Sequence, residues 1–139
     1  MNTSTPDILV VGGAGYIGSH VVKALRDAGR QSVVFDNLST GFRENLFPDI
    51  PFIHGDLLIP EQVHDAMRGI RSVIHLAALK AAGDSMLEPE RYALHNLNGT
   101  VNLLHAAGTA GVRHFVFSSS AAVYGEPQYL PLDENHPTE

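Results

Sequence analysis

The chain has 139 residues, 44% of them hydrophobic and 17% charged, with a net charge of −6 and no cysteine. That length and apolar share suit one domain with its own core. The negative balance offers no basic patch for nucleic-acid phosphates or an anionic membrane, and disulfide and thiol chemistry are excluded. The start, Met1-Asn2-Thr3-Ser4-Thr5-Pro6, is polar and lacks the basic and apolar parts of a signal peptide. No apolar run approaches a membrane span, so a cytoplasmic location is expected.

Ile8 to Val11 reads as a buried strand running without a break into Gly12-Gly13-Ala14-Gly15-Tyr16-Ile17-Gly18. Glycines here let the turn adopt angles closed to other residues and let the main chain approach a ligand closely. A helix opening at Tyr16 aims its free N–H groups and positive dipole end over the turn, an arrangement that suits a pyrophosphate. The glycines fit both Gly13-x-Gly15-x-x-Gly18 and Gly12-x-x-Gly15-x-x-Gly18. A strand before, a helix after and an acid at the end of the next strand make that pattern a dinucleotide signature.

Helix Tyr16 to Ala28 sets Ile17, Val21, Ala24, Leu25 and Ala28 on one face and stops at Gly29. Ser32 to Phe35 is a second buried strand ending at Asp36. A carboxylate there can accept hydrogen bonds from both ribose hydroxyls of an adenosine and would repel a 2′-phosphate. Asn37-Leu38 supplies no arginine to offset that repulsion, so NAD is expected and NADP is not. The plainer role for Asp36 is to cap the loop that follows the strand.

Strand and helix go on alternating. Pro51 to His54 is a third strand, Glu61 to Arg68 a short helix closed by Gly69, and Ser72 to Leu76 a fourth strand. A long helix is expected from about Pro89 to Thr109, with Leu94, Leu97, Val101, Leu104 and Ala107 along its apolar face. Arg113 to Phe117 is a fifth strand leading into Ser118-Ser119-Ser120. Apolar strands separated by helices imply a parallel sheet covered on both faces, a doubly wound α/β domain with strand order 3-2-1-4-5 and ligands at the carboxyl ends. The loop Asn37 to Asp49 and the tail Gly125 to Glu139 read as irregular.

Five blocks carry a resemblance. They are Val11 to His20, Asp36 to Gly41, Gly55-Asp56-Leu57, His75 to Ser85, and Phe117 to Gly125. Together they make nearly the whole chain similar to the N-terminal part of an extended short-chain dehydrogenase/reductase of the NAD-dependent epimerase/dehydratase family, and within it most similar to the UDP-glucose 4-epimerases. The resemblance implies an NAD-binding Rossmann domain over residues 1–139, with the C-terminal substrate-binding part absent. It implies that Gly12, Gly15 and Gly18 form the phosphate turn with Tyr16 and Ile17 at the pyrophosphate. Asp36, Asn37, Leu38, Ser39, Thr40 and Gly41 would surround the adenosine ribose, and Asp56 and Leu57 would flank the adenine. Leu76, Ala77, Ala78, Leu79 and Lys80 would line the nicotinamide half, Lys80 reaching ribose hydroxyls. His95, with Asn96 next, stands where the family usually has an asparagine near the nicotinamide.

Ser120 is the catalytic candidate by the same resemblance, hydrogen-bonding the C4 hydroxyl of a UDP-sugar. In the family a tyrosine paired with a lysine four residues later takes the proton while C4 gives a hydride to NAD; the 4-keto sugar turns over and receives the hydride on its other face. The four tyrosines here, Tyr16, Tyr92, Tyr124 and Tyr129, are followed at that distance by His20, Asn96, Gln128 and Asp133, none of them lysine. Losing a positioned acid/base costs about 10²–10⁴ in rate, so interconversion of UDP-glucose and UDP-galactose is expected to be impaired in this chain alone. An exposed edge on the fifth strand is expected as well. Other nucleotide-sugar enzymes of the family are the runners-up, although Ala121-Ala122 occupy the place of the acid pair that a dehydratase needs; a truncated module that binds NAD without turnover is the non-enzymatic reading. Family members commonly dimerise through a helical bundle, so the helix ending near Thr109 is a candidate element of a homodimer. The eight histidines show no pair at zinc spacing, and no Gly-x-Ser-x-Gly motif occurs, so neither a metal nor hydrolase chemistry is expected.

Overall fold

Short runs rich in valine, isoleucine and phenylalanine form the strands β1 (Ile8–Val11), β2 (Ser32–Asp36), β3 (Phe52–His54), β4 (Ser72–His75) and β5 (His114–Phe117). In the computed structural model, which describes residues 5–138, they pair in parallel in the order β3-β2-β1-β4-β5. Met1 to Ser4, most of the polar start, and Glu139 lie outside the described residues. The register sets Val11 level with Phe35 on one side and with His75 on the other. The carboxyl ends of the three middle strands therefore finish at one height.

The helices are α1 (Tyr16–Asp27), α2 (Pro60–Ala66), α3 (Ala82–Leu87), α4 (Pro89–Ala93) and α5 (Gly99–Ala110). Parallel strands need crossovers, and the crossovers cover both faces of the sheet. On one face Leu9, Val11, Val33, Phe35 and Val73 pack with Val63, Ala66 and Met67 from α2 and its end and with Leu103, Ala106 and Ala107 from α5. On the other, Ile8, Val10 and Val34 meet Val21, Val22 and Leu25 of α1 and Leu46, Phe47 and Ile50 of the following loop. Each fully buried valine, leucine, isoleucine, phenylalanine or methionine among them contributes about 1.5–3 kcal/mol by leaving water. No helix among the described residues is long and apolar enough to cross a membrane.

The expected strand order is the observed one, and strand and helix ends move by a residue or two. Three features differ from expectation. The six residues Ala82–Leu87 form a helix that the sequence does not announce, because its Met86 and Leu87 point into solvent and leave no apolar periodicity. The long helix contains a π-helical turn, Leu94–Asn98, between α4 and α5, with helical backbone angles across both joints. The core-facing stripe of this helix is also another one. Of the residues expected there only Ala107 is buried; Leu97 and Val101 are 65% and 62% exposed, and Leu94 and Leu104 are exposed too. Gly99, Leu103, Ala106 and Ala107 face inward instead. Both stripes are helix-periodic, and the one with small residues is packed because it lets α5 come close to its neighbours: a Cβ on Gly99 would already stand 3.1 Å from Leu57. The β5 edge is open as expected, with Val116 and Phe117 more than half exposed.

Candidate functional site

Every loop at the carboxyl end of a strand leans on its neighbour, beginning with the glycine turn. Gly12 has φ +82°, and a Cβ there would lie 2.6 Å from the Ala77 amide nitrogen of the loop after β4. A Cβ on Gly18 would lie 2.1 Å from the Gly12 carbonyl oxygen, so only glycine lets α1 start against the turn. No side chain caps α1, whose first residue follows directly on Gly15. Its first N–H groups are thus free for an external acceptor, and its dipole favours an anion. Tyr16 and Ile17, expected beside that acceptor, are exposed at this end.

Asp36, at the end of β2, is 9% exposed, and both of its oxygens are engaged. Oδ2 accepts from the Ala14 N–H of the turn at 3.0 Å and Oδ1 from the Leu38 N–H at 2.8 Å. The capping role is therefore real. Each oxygen keeps a further lone pair, so ribose recognition stays compatible with it. The Leu38 bond, together with Asn37 Oδ1 accepting from the Ser39 N–H, holds Leu38 at φ 58°, a conformation that a leucine adopts only under such restraint. Gly41 lies against Ala14, and the Ala14 carbonyl accepts from the Phe42 N–H and the Asn45 amide. The loop that begins at Asn37 is thereby folded over the glycine turn.

Asp56, after β3, accepts from the Asn37 amide at 3.0 Å and from the Leu58 N–H at 2.9 Å. Burial works to raise its pKa, but these hydrogen bonds and the nearby His95 charge outweigh it, and the carboxyl is held below its ordinary value. His95 itself is half-buried. Two asparagines of the long helix, Asn96 in its π-helical turn and Asn102 in α5, then tie down two of these loops. The Asn96 amide donates to the Leu79 carbonyl and accepts from the Leu79 N–H, both at 2.9 Å. Asn102 donates to the Leu57 carbonyl at 2.8 Å. Neither clamp was found by reading the sequence; an asparagine opposite a loop of the next crossover gives no local signal.

His75, the last residue of β4, is 2% exposed between the rings of Phe115 and Phe117. Its Nε2 stands 2.9 Å from the Thr100 hydroxyl, which donates to the Asn96 carbonyl at 2.7 Å. Nδ1 is buried without a partner. Burial pushes the imidazole pKa down to about 4.

Lys80 and Ser120 lie outside this network. Lys80 is exposed and enters none of the ion pairs among the described residues. Ser120 is exposed after β5, its Oγ accepting from the Ala122 N–H at 3.2 Å and capping a 3₁₀ turn over Ala121–Tyr124. The Ser118 N–H bonds the His75 carbonyl, which keeps the serine run beside the end of β4. Leu76, Ala77 and Leu79 are partly buried, and Ala78 is exposed. Among the described residues no three His, Asp or Glu side chains gather where they could hold a metal ion.

The fit to a dinucleotide is a matter of shape and donors: a tight turn in which Gly12 and Gly18 leave no room for a Cβ, an uncapped helix start above it, and a carboxylate at the end of the second strand. The comparisons agree. Residues 8–139 match the NAD dependent epimerase/dehydratase family. The chain is 46% identical to UDP-glucose 4-epimerase of Streptomyces lividans over 133 residues, covering 94% of this chain and 40% of that protein. It is 44% identical to the Homo sapiens UDP-glucose 4-epimerase, covering 94% and 42%. Among solved structures, that of the Thermus thermophilus UDP-glucose 4-epimerase in complex with NAD aligns with a TM-score of 0.86 at 40% identity, covering 95% of this chain and 44% of that one. The Bifidobacterium longum UDP-glucose 4-epimerase in complex with NAD+ and UDP aligns with a TM-score of 0.84 at 33% identity, covering 95% and 42%. The chain spans about two-fifths of the length of the curated relatives it matches.

Proposed function

This chain belongs to the NAD dependent epimerase/dehydratase family, and from that premise we propose that it is the NAD-binding half of a UDP-glucose 4-epimerase-type isomerase. The observation that carries the reading is the clearance of the glycine turn: Gly12 and Gly18 are packed so closely that no side chain could replace them. The resemblance to UDP-glucose 4-epimerases across almost the whole chain supports the choice of sugar.

In this reading the turn and the start of α1 hold the pyrophosphate. Asp36 accepts from the adenosine ribose with the lone pairs that Ala14 and Leu38 leave free, and the residues from Asn37 to Gly41 close over it. Asp56 and Leu57 flank the adenine, with Asn102 fixing the Leu57 carbonyl. Leu76 to Lys80 line the nicotinamide half, with Lys80 on its ribose and His95 in the asparagine position. NAD held by these residues would supply a hydride acceptor, and then a hydride donor, for C4 of the sugar. Ser120 holds the C4 hydroxyl.

None of the four tyrosines in these 139 residues has a lysine four residues later. Tyr129 donates its hydroxyl to Asp133 at 2.8 Å. That bond holds its pKa above the ordinary phenol value, the wrong direction for a base. The 139 residues therefore supply cofactor and substrate contacts without a tyrosine–lysine pair, and their own turnover is impaired. A homodimer belongs to the same reading, supported by the exposed stripe of Leu94, Leu97, Val101 and Leu104, as does a cytoplasmic location.

Calorimetric titration of NAD and NADP into the 139-residue chain tests this. NAD is expected to bind, NADP to bind more weakly, and Asp36→Ala to weaken NAD by about 2 kcal/mol, the worth of its charge-assisted bonds. A chain that binds neither nucleotide sinks the reading. Rapid conversion of UDP-galactose by this chain would refute the impairment alone.

A further inference from the structure

The buried His75 is unused by the reading above, and packing does not account for it. A leucine would fill the space between Phe115 and Phe117 without leaving a buried acceptor unpaired. Such an orphan atom costs free energy and calls for an explanation. The hydrogen bonds supply one. The single hydrogen of the Thr100 hydroxyl goes to the Asn96 carbonyl at 2.7 Å. The oxygen can then only accept from His75, so the imidazole carries its proton on Nε2 and leaves Nδ1 bare. Thr100 is locked between the end of β4 and the π-helical turn, and the residue whose carbonyl it holds, Asn96, grips Leu79 through both of its amide atoms.

We propose that His75 is a positioning residue for the nicotinamide half of the cofactor, acting through Thr100 and Asn96 to set the Leu79 loop. The inference rests on the NAD reading, which places that loop beside the nicotinamide. π-helical turns are rare and recur at functional sites; in this one the Asn96 carbonyl is held by the Thr100 hydroxyl, which the His75 donor fixes in turn. The adenine half is held separately, by Asn102 on Leu57 and by Asp36 on the turn. His75 therefore distinguishes the two halves of one ligand.

The test compares NAD with ADP-ribose, which lacks only the nicotinamide, on the full chain. His75→Leu and Thr100→Val are each expected to weaken NAD about tenfold, as the loss of one positioned hydrogen bond would, and to leave ADP-ribose within about twofold. The double variant is expected to be no weaker than either single one. His75→Gln, which returns a donor near Nε2, and Thr100→Ser are expected to restore most of the NAD affinity. Should His75→Leu not fold, Thr100→Val decides, since its shape is that of threonine. Equal losses for NAD and ADP-ribose, or unchanged NAD binding, overturn the proposal and leave the NAD reading standing. A wild-type chain that binds neither ligand removes both.

Discussion

Around β1 and β2 every strand residue is buried, helix α1 presents its valines and leucine to one face, and the loops above close over each other through backbone hydrogen bonds. Along β4 and β5 the composition is similar, but the outer strand is largely exposed and the long helix shows solvent the four larger residues of one apolar stripe, Leu94, Leu97, Val101 and Leu104. The contrast shows that an apolar period identifies a helix without saying which side is packed. Where two stripes compete, the one with the smaller side chains lies against the sheet, because Gly99, Ala106 and Ala107 let backbones approach. The larger Leu97 and Val101 stay outside.

That contrast can be broken or sharpened by substitution. The largest effect is expected in the well-packed half: Gly18→Ala drives a methyl into the Gly12 carbonyl and should cost about 3 kcal/mol of stability and abolish measurable NAD binding, read from urea unfolding and titration. Leu103→Ala, on the packed stripe of α5, should cost a similar but somewhat smaller amount, about 2–3 kcal/mol, with NAD affinity of the folded protein little changed.

Acid should come next. The unfolded chain protonates His75 below about pH 6.5, the fold only below about 4. Between those values the unfolded state binds the extra proton, so the contribution of this residue is complete above pH 6.5 and lost as pH falls. The wild type should lose about 2 kcal/mol more than His75→Gln between pH 7 and 4.5, measured as the difference in urea unfolding free energy. The smallest effect belongs to the exposed stripe. Leu97→Ala should change the stability of a monomer by under about 0.5 kcal/mol; a cost as large as that of Leu103→Ala, growing with protein concentration, would show the stripe to be buried in an assembly.

Strands, their order and the glycine turn were legible because each rests on local signals: unbroken apolar runs, breaks at glycine, and spacing within a few residues. Asp36 was legible for the same reason, sitting at a strand end a fixed distance after the turn, although its bonds to Ala14 and Leu38 were seen only in the fold. The roles of Lys80 and Ser120 rest on resemblance alone, and the structure leaves both side chains exposed.

The bonds of Asn96, Asn102 and the His75–Thr100 pair are not legible in the sequence because each joins residues far apart in the chain. Local composition and periodicity carry the choice of element and the turn chemistry, since both are decided within a few residues. Which stripe of a helix packs, and which polar side chain holds which loop, depends on surfaces that meet only after the sheet has formed. Close approach and the need to satisfy buried polar groups then pick one arrangement from several that the chain's pattern allows.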